Sequence, residues 1–408
     1  MATQKNVESE NTSKDDIGAT LQRQLSHTQD QIERIKIIIE GALQNRASDI
    51  HLEPTPKGLR IRYRIDGILR AIATLASQES HSIINALKVM CQMDITDSRA
   101  PQDGRISTKY HIESQQEQSL NLRVSTLPCV SDLEGGFAEK AVLRLLRQQN
   151  TFKTIHELGF SEHSKRLYET WLTQPQGIIV FTGPTGSGKT TTLYTSLQAM
   201  DVDSVNIVTV ENPVEYIIPG ITQTQVNEAA GMTFAAGIRA ILRQDPDIIM
   251  IGEIRDAETA ETAIYAALTG HLVFTTMHTN DAIGAIPRFK ELGPDPSLLS
   301  DALVGIVAQR LVRKVCPFCA KPYSPTKADL QALNLKPKPE NLNGWQKGQG
   351  CPKCFDSGYL GREAIIELLD IDDTIQQMIY NNIIYQRQRY LREHNTNSFR
   401  IAAIEKVI

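Results

Sequence analysis

Eight consecutive residues, Gly183-Pro184-Thr185-Gly186-Ser187-Gly188-Lys189-Thr190, have the types and spacing of a phosphate-binding loop, and Thr191 continues them. Glycines let the backbone curl so that successive N–H groups face one anion, and a helix starting near Lys189 adds its positive dipole end. Lys189 can reach the β- and γ-phosphates of a nucleoside triphosphate, and the Thr190 hydroxyl suits a Mg²⁺ ligand. The apolar run Gly177–Phe181 directly before the loop reads as a buried strand, which gives the motif its strand–loop–helix setting. An Asn-Lys-x-Asp guanine motif is absent from the sequence, which points away from GTP and toward ATP.

Two carboxylates follow later apolar runs. Glu211 comes after Asn206–Val210, and Glu253 after Asp247–Ile251. In parallel α/β sheets ligands lie beyond the carboxyl ends of strands, so both acids fall where a triphosphate would be met. Hydrolysis needs a metal to neutralise the phosphates, a carboxylate to orient or deprotonate water, and cations for the charge developing on the γ-phosphoryl. Gly252 stands where P-loop enzymes ordinarily carry an aspartate, so Glu253 reads as a holder of metal-bound or attacking water rather than a direct metal ligand. Which of Glu211 and Glu253 is the base stays open. His271 and His278 bracket the run Leu272–Met277, too far apart along an extended strand to share a zinc ion. Taken by residue type, such histidines have core or cap roles more often than a γ-phosphate-sensing one.

Cys316-Pro317-Phe318-Cys319 and Cys351-Pro352-Lys353-Cys354 form two C-x-x-C knuckles, which together can offer four thiolates to one tetrahedral Zn²⁺. A closed Cys₄ site has no open position for substrate, so the expected role is structural. The remaining Cys91 and Cys129 lie far apart in sequence, and a reducing compartment explains the cysteine usage better than disulfides.

The elements that must position these groups follow from pattern. At 408 residues the chain suggests two or three domains. Residues 1–26 are polar and read as a flexible tail. A capping box at Thr28 and Gln31 opens a helix with Ile32, Ile35, Ile39, Ala42 and Leu43 on one face, running to about Arg46. Leu59–Ile65 alternates apolar and basic residues before Asp66-Gly67, a strand entering a hairpin. A helix at 80–92 and strands at 104–110 and 120–125 complete a small α+β domain, 27–147. After a linker at 148–157, strand-like runs alternate with helical segments, giving a parallel α/β domain over 158–408 that includes the cysteine subdomain 316–354 and C-terminal helices. Basic and acidic residues nearly balance, 43 against 47, which gives no support to a nucleic-acid motor. No apolar run is long enough to span a bilayer, so a soluble, cytoplasmic protein is expected.

From about residue 46 onward the chain resembles the hexameric ATPases of bacterial type II secretion and type IV pilus assembly, the GspE/PilB type. The motifs are Ser48–Pro54, Arg64–Gly67, Arg99–Arg105, Leu122–Thr126, the phosphate loop, the "Asp box" at Glu211, Leu242–Asp247, Gly252–Asp256 and the "His box" from Thr269 to Asp281. The resemblance implies a PAS-like N-terminal domain joined flexibly to a RecA-like ATPase domain, ATP between them, six subunits in a ring, and docking on an inner-membrane platform protein. Carried over by motif, Arg105 and Arg123 are arginine fingers for the γ-phosphate, and His278 belongs to the catalytic set. A permanently charged, bidentate guanidinium suits that task. Two departures stand out: the family's Glu-Asp-Pro is Glu211-Asn212-Pro213 here, and the segment Glu134–Lys140 is longer than usual. The four cysteines agree with secretion and pilus-extension members rather than retraction motors. The resemblance thus implies a motor driving pilin or pseudopilin assembly, peripheral at the inner membrane. The alternatives are a retraction ATPase, a DNA translocase, or a non-catalytic nucleotide- and zinc-binding scaffold.

Overall fold

The computed structural model describes residues 14–111, 117–130, 137–147, 152, 154–336, 338 and 343–407. Contacts divide the chain into two units: Met1–Gln148 with Arg313–Lys321 and Lys347–Gly361, and Gln149–Val312 with Pro322–Gln346 and Arg362–Ile408.

The first unit runs α1 (Lys14–Ser26), α2 (Gln31–Gln44), β1 (Ala47–Thr55), β2 (Gly58–Ile65), β3 (Ile68–Leu75), α3 (Ser77–Met90), β4 (Gln102–His111), β5 (Glu117–Val130) and β6 (Phe137–Arg147). The strands form one sheet in the order β3-β2-β1-β6-β5-β4, antiparallel at every junction. Period-two alternation puts Ile50, Leu52, Ile61, Tyr63, Leu122, Val124 and Leu143 into one core with Ile35, Ile38 and Ile39 of α2 and Ile83, Ile84 and Leu87 of α3. Charged residues of the same strands occupy the other face. The Asp66-Gly67 turn is as expected, both residues at positive φ between β2 and β3.

Two expectations change. Residues 14–26 form helix α1 instead of flexible tail, because Ile17, Leu21 and Leu25 recur one turn apart and all three are buried. The helix start falls at Asp30, whose carboxylate accepts from the Ile32 N–H, while the Thr28 hydroxyl accepts from the Asp30 N–H, outside the helix. The motif Ser48–Pro54 lies in a strand, β1, at the middle of the sheet. Residues 1–13, Glu134–Gly136 and most of the expected linker before Thr154 lie outside the described residues.

The second unit continues with α4 (Glu162–Leu172), β7 (Gly177–Thr182), α5 (Lys189–Gln198), β8 (Ile207–Glu211), β9 (Thr222–Gln225), α6 (Phe234–Ile241), β10 (Ile248–Ile251), α7 (Ala257–Leu268), β11 (Leu272–Met277), α8 (Ala285–Glu291) and α9 (Pro296–Ala302). Then come β12 (Leu303–Val315), β13 (Ala320–Pro322), α10 (Lys327–Ala332), β14 (Gln346–Gly348), β15 (Tyr359–Asp370), α11 (Asp373–Tyr380), α12 (Ile384–His394) and α13 (Phe399–Glu405). The chain passes between the units within β12 and again within β15.

The sheet order is β15-β12-β7-β11-β10-β8-β9, and the pairings from β12 through β9 are parallel. Ile178, Val180, Val210, Ile249 and Val273 enter one core, and Ile179, Phe181, Ile207, Met250 and Phe274 the other. Both faces are covered, which is why these strands read as continuous apolar runs rather than alternating ones. The four runs read as strands from sequence are β7, β8, β10 and β11.

The cysteine knuckles correct the expected boundary. Residues 313–321 and 347–361 group with the N-terminal unit, not with the ATPase domain. Phe355, one residue past the second knuckle, packs on that unit's core, lies under the Arg70 guanidinium at 4.9 Å, and accepts a hydrogen bond from Arg70 Nη1 at 3.3 Å.

Candidate nucleotide site and metal centre

Three glycines of the phosphate loop take positive φ, at 145° for Gly183, 76° for Gly186 and 90° for Gly188. A Cβ on Gly183 would stand 2.4 Å from the Gln309 carbonyl oxygen, so the turn admits no other residue without movement. Gly188 caps α5 with no side-chain acceptor, leaving the first N–H groups of the helix for an anion. Ser187 Oγ is buried with no hydrogen-bond partner among the described residues. These features fit a triphosphate. Behind the loop, the buried Gln309 of β12 accepts from Thr192 Oγ1 at 2.7 Å and bears on Gly188.

Lys189 is buried, and its Nζ donates to the carbonyls of Gly183 at 2.7 Å and Pro184 at 3.3 Å. Burial lowers its pKa, and the Glu253 carboxylate opposes the shift. Glu253, just past β10, receives Arg255 Nε at 2.6 Å and lies 3.8 Å from His278 Nε2. Burial, then the Lys189 charge, holds the His278 imidazole below its ordinary pKa, against Glu253 and a hydrogen bond with the Gly183 backbone. So Lys189, Glu253 and His278 converge at the carboxyl ends of β7, β10 and β11. Among the residues read as candidates, His271 does not join them, since its Nδ1 bonds the Ala266 carbonyl at the end of α7.

Glu211 sits at the end of β8 beside β10, 3% exposed. Its Oε1 accepts from Thr209 Oγ1 at 2.6 Å and Gln223 Nε2 at 3.1 Å, and its Oε2 accepts from the Tyr194 hydroxyl. Gly252 explains itself here. A Cβ at that position would meet Glu211 Cα at 3.3 Å and the Val210 oxygen at 3.4 Å, so the ordinary aspartate would crowd the neighbouring strand. Asn212 points outward and is exposed.

The loop after β11 is fastened to the C-terminal helices. Buried Glu367 of β15 accepts from the N–H of Ala282 at 2.8 Å and of Phe399 at 3.1 Å, and burial raises its pKa. Arg392 of α12 pairs with Asp281 at 2.7 Å, and Arg310 donates to the Asn280 carbonyl at 2.9 Å.

In the N-terminal unit, Arg105 faces Arg123 across β4–β5, and Arg123 faces Arg144 across β5–β6. Asp49 continues the row on β1 and takes Arg144 Nε at 3.0 Å, with Arg64 next on β2. Like charges in direct opposition destabilise a sheet, and Asp49 offsets part of that cost here by pairing with Arg144 and lying 3.6 Å from Arg64. Arg144 was not among the arginines singled out from sequence; the β5–β6 register places it opposite Arg123.

The four cysteine sulfurs lie within 4.8 Å of one another, with Cys316–Cys351 and Cys319–Cys354 at 3.8 Å and Cys351–Cys354 at 3.6 Å. Four Zn–S bonds of about 2.3 Å in a tetrahedron need S–S edges of about 3.8 Å, so the set fits zinc. Burial raises the Cys316 and Cys351 thiols, whereas the N–H groups of Cys351 and Gly358 and the neighbouring sulfurs lower that of Cys354 against its own burial.

The sequence profile of the family described as type II/IV secretion system protein matches residues 24–408. The chain belongs to this family. It is 43% identical over 376 residues to the type II secretion system ATPase E of Vibrio cholerae, covering 92% of this chain and 72% of that one. It is 45% identical over 345 residues to the type IV pilus assembly ATPase PilB of Thermus thermophilus, covering 85% and 38% respectively. A crystal structure of the pilus retraction motor PilT with bound ADP superposes with TM-score 0.56 at 26% identity, covering 88% of this chain and 89% of PilT. The Legionella pneumophila ATPase DotB shares the fold, with TM-score 0.62 at 22% identity, covering 88% of each chain. The family's members are ATPases, and the fold is the RecA-like one expected from sequence.

Proposed function

We propose that this chain hydrolyses ATP at the edge formed by β7, β10 and β11 and uses the energy to drive assembly of a pilin or pseudopilin filament. The convergence of Lys189, Glu253 and His278 on the phosphate loop supports the chemical part of this reading. Gly183–Thr191 would hold the triphosphate and Thr190 the magnesium ion, which when bound neutralises phosphate charge. Glu253 is the carboxylate that orients the attacking water, because Glu211 is buried and already engaged by Thr209, Gln223 and Tyr194. Water oxygen bonds to the γ-phosphorus, the bond to the bridging oxygen breaks, and ADP and phosphate leave. Neutral His278 hydrogen-bonds near the γ-phosphoryl. Arg105 and Arg123, with Arg144 beside them, supply positive charge to the transition state when brought to the triphosphate.

The assembly role rests on the relatives that act in type II secretion and type IV pilus assembly. We read the working form as a homohexamer at the cytoplasmic face of the inner membrane, docked on a platform protein. Among the described residues no helix is long and apolar enough to cross a membrane, so attachment would run through partners. The likeness to PilT also admits a retraction motor, but the Cys₄ centre favours assembly.

The test is steady-state ATPase on purified oligomer. Lys189→Ala should abolish turnover, and Glu253→Gln should lower kcat by about 10²-fold or more while a fluorescent nucleotide still binds. Full turnover in Glu253→Gln would refute the assignment.

A further inference from the structure

Tyr194 is a fully buried phenol that neither the phosphate loop nor the expected catalytic set accounts for. It lies on α5, the helix that begins with Lys189, and its hydroxyl reaches Glu211 on β8, joining the helix behind the loop to the neighbouring strand's carboxyl end. The surroundings are arranged around that contact. The Tyr216 ring meets the Tyr194 ring edge-on at 4.7 Å, and the Glu215 N–H donates to the Tyr194 oxygen at 3.4 Å. Gln223 links the same carboxylate to the loop after β8: its Nε2 also donates to the Tyr216 carbonyl at 3.1 Å, and its Oε1 accepts from the Ile218 N–H at 2.7 Å. Burial, then the Glu211 charge, pushes the Tyr194 pKa upward, so the phenol stays a donor.

We propose that Tyr194 is a positioning residue for hydrolysis, holding the Glu211 carboxylate so that the phosphate-loop helix and the β8 edge move as one piece. Glu211 then acts as a positioned carboxylate at the end of β8 rather than as the proton acceptor. A buried acceptor that loses one donor keeps its full desolvation cost and relaxes toward the donors that remain. In Tyr194→Phe the carboxylate would therefore turn toward Thr209 and Gln223, and the two elements would uncouple. The asymmetry of the contacts fits this: Thr209 and Gln223 belong to the β8–β9 side, and only Tyr194 comes from α5.

The inference rests on the site reading above, and the experiment separates the two. kcat and KM for ATP are measured for wild type, Tyr194→Phe, Glu211→Gln and the double variant, with thermal melting and fluorescent-ADP binding as controls. Expected are a roughly tenfold lower kcat in Tyr194→Phe, KM and ADP affinity within about twofold of wild type, and a double variant no slower than Glu211→Gln alone. Gln223→Met serves as a second probe, expected to lower kcat without raising KM. A Tyr194→Phe kcat equal to wild type, a KM that rises as kcat falls, or multiplicative losses in the double variant would each overturn the proposal. A wild-type oligomer that binds ATP without turning it over would instead overturn the site reading, and this inference with it.

Discussion

Adding a single methyl group at Gly252 should disable the enzyme without unfolding it. The built Cβ stands 3.3 Å from Glu211 Cα, 3.4 Å from the Val210 oxygen and 3.5 Å from a Phe234 ring carbon. Two of those three neighbours are backbone, and the backbone is pinned: Gly252 N–H donates to the Val210 oxygen at 2.8 Å, and Val226 N–H to the Glu211 oxygen at 2.8 Å. Neither strand can swing away as a side chain would, so relief must come from moving β8 off β10 by a few tenths of an ångström. Overpacking of this kind costs about 1–2 kcal/mol. For a unit of this size that corresponds to a melting temperature lower by roughly 2–8 °C. The functional loss should be larger, because the displaced residue is Glu211 itself, carried away from the donors on β9 and α5. Gly252→Ala should lower kcat about tenfold with KM for ATP little changed, measured by coupled ATPase assay beside calorimetry. If the variant melts where wild type does and turns over at the wild-type rate, the tight packing of β10 on Glu211 is not what determines glycine there.

Lys88 is fully buried, pairs with Glu139 at 2.6 Å and donates to the Asp97 carbonyl at 2.9 Å. Lys88→Met leaves a buried carboxylate uncompensated and should cost about 3–5 kcal/mol by denaturant unfolding, most of it recovered in Lys88→Met with Glu139→Leu. Glu53 is surrounded by Arg62, Lys140 and Arg60; burial raises its pKa, but hydrogen bonds from those cations prevail and hold it at about 2 against a reference of 4.5. A lowered folded value means the contribution is complete above about pH 4.5 and is lost as pH falls toward 2. The stability gap between wild type and Glu53→Gln should therefore be constant near neutrality and close on acidification, as read by denaturant midpoints at each pH. Metal analysis should find about one zinc per chain, absent after Cys354→Ser, with protease cleavage between residues 313 and 361 accelerated by its loss.

Chain order preserves some of this site and hides the rest. The phosphate loop is legible because nine adjacent residues carry it and their types are dictated by backbone conformation. The strands β7, β8, β10 and β11 are legible because two covered faces demand unbroken apolar runs. By contrast β1 mixes Asp49, His51 and Glu53 with Ile50 and Leu52, and its charges are tolerated only because Arg62, Lys140 and Arg144 on flanking strands meet them. Helix α1 was hidden by polar composition, since three apolar side chains one turn apart suffice to dock a helix. The partners of Glu211 come from α5, β8 and β9, and only the parallel pairing of β8 with β9 and β10 brings them together. The arginine row is a property of antiparallel register, invisible until β4, β5 and β6 are aligned. The cysteine spacing revealed the metal set but not its grouping with the N-terminal unit, to which Phe355 under Arg70 contributes.

Glu367 ties two distant stretches with one carboxyl group, an oxygen to the residue after Asp281 and an oxygen to the first turn of α13. Shortening the protein at Asn395 would strip away one of those donors and leave a buried acid held by the Ala282 N–H alone beneath the His278 loop. Removal of α13 would thus be felt at the loop after β11, far earlier in the chain than Phe399, by way of Ala282.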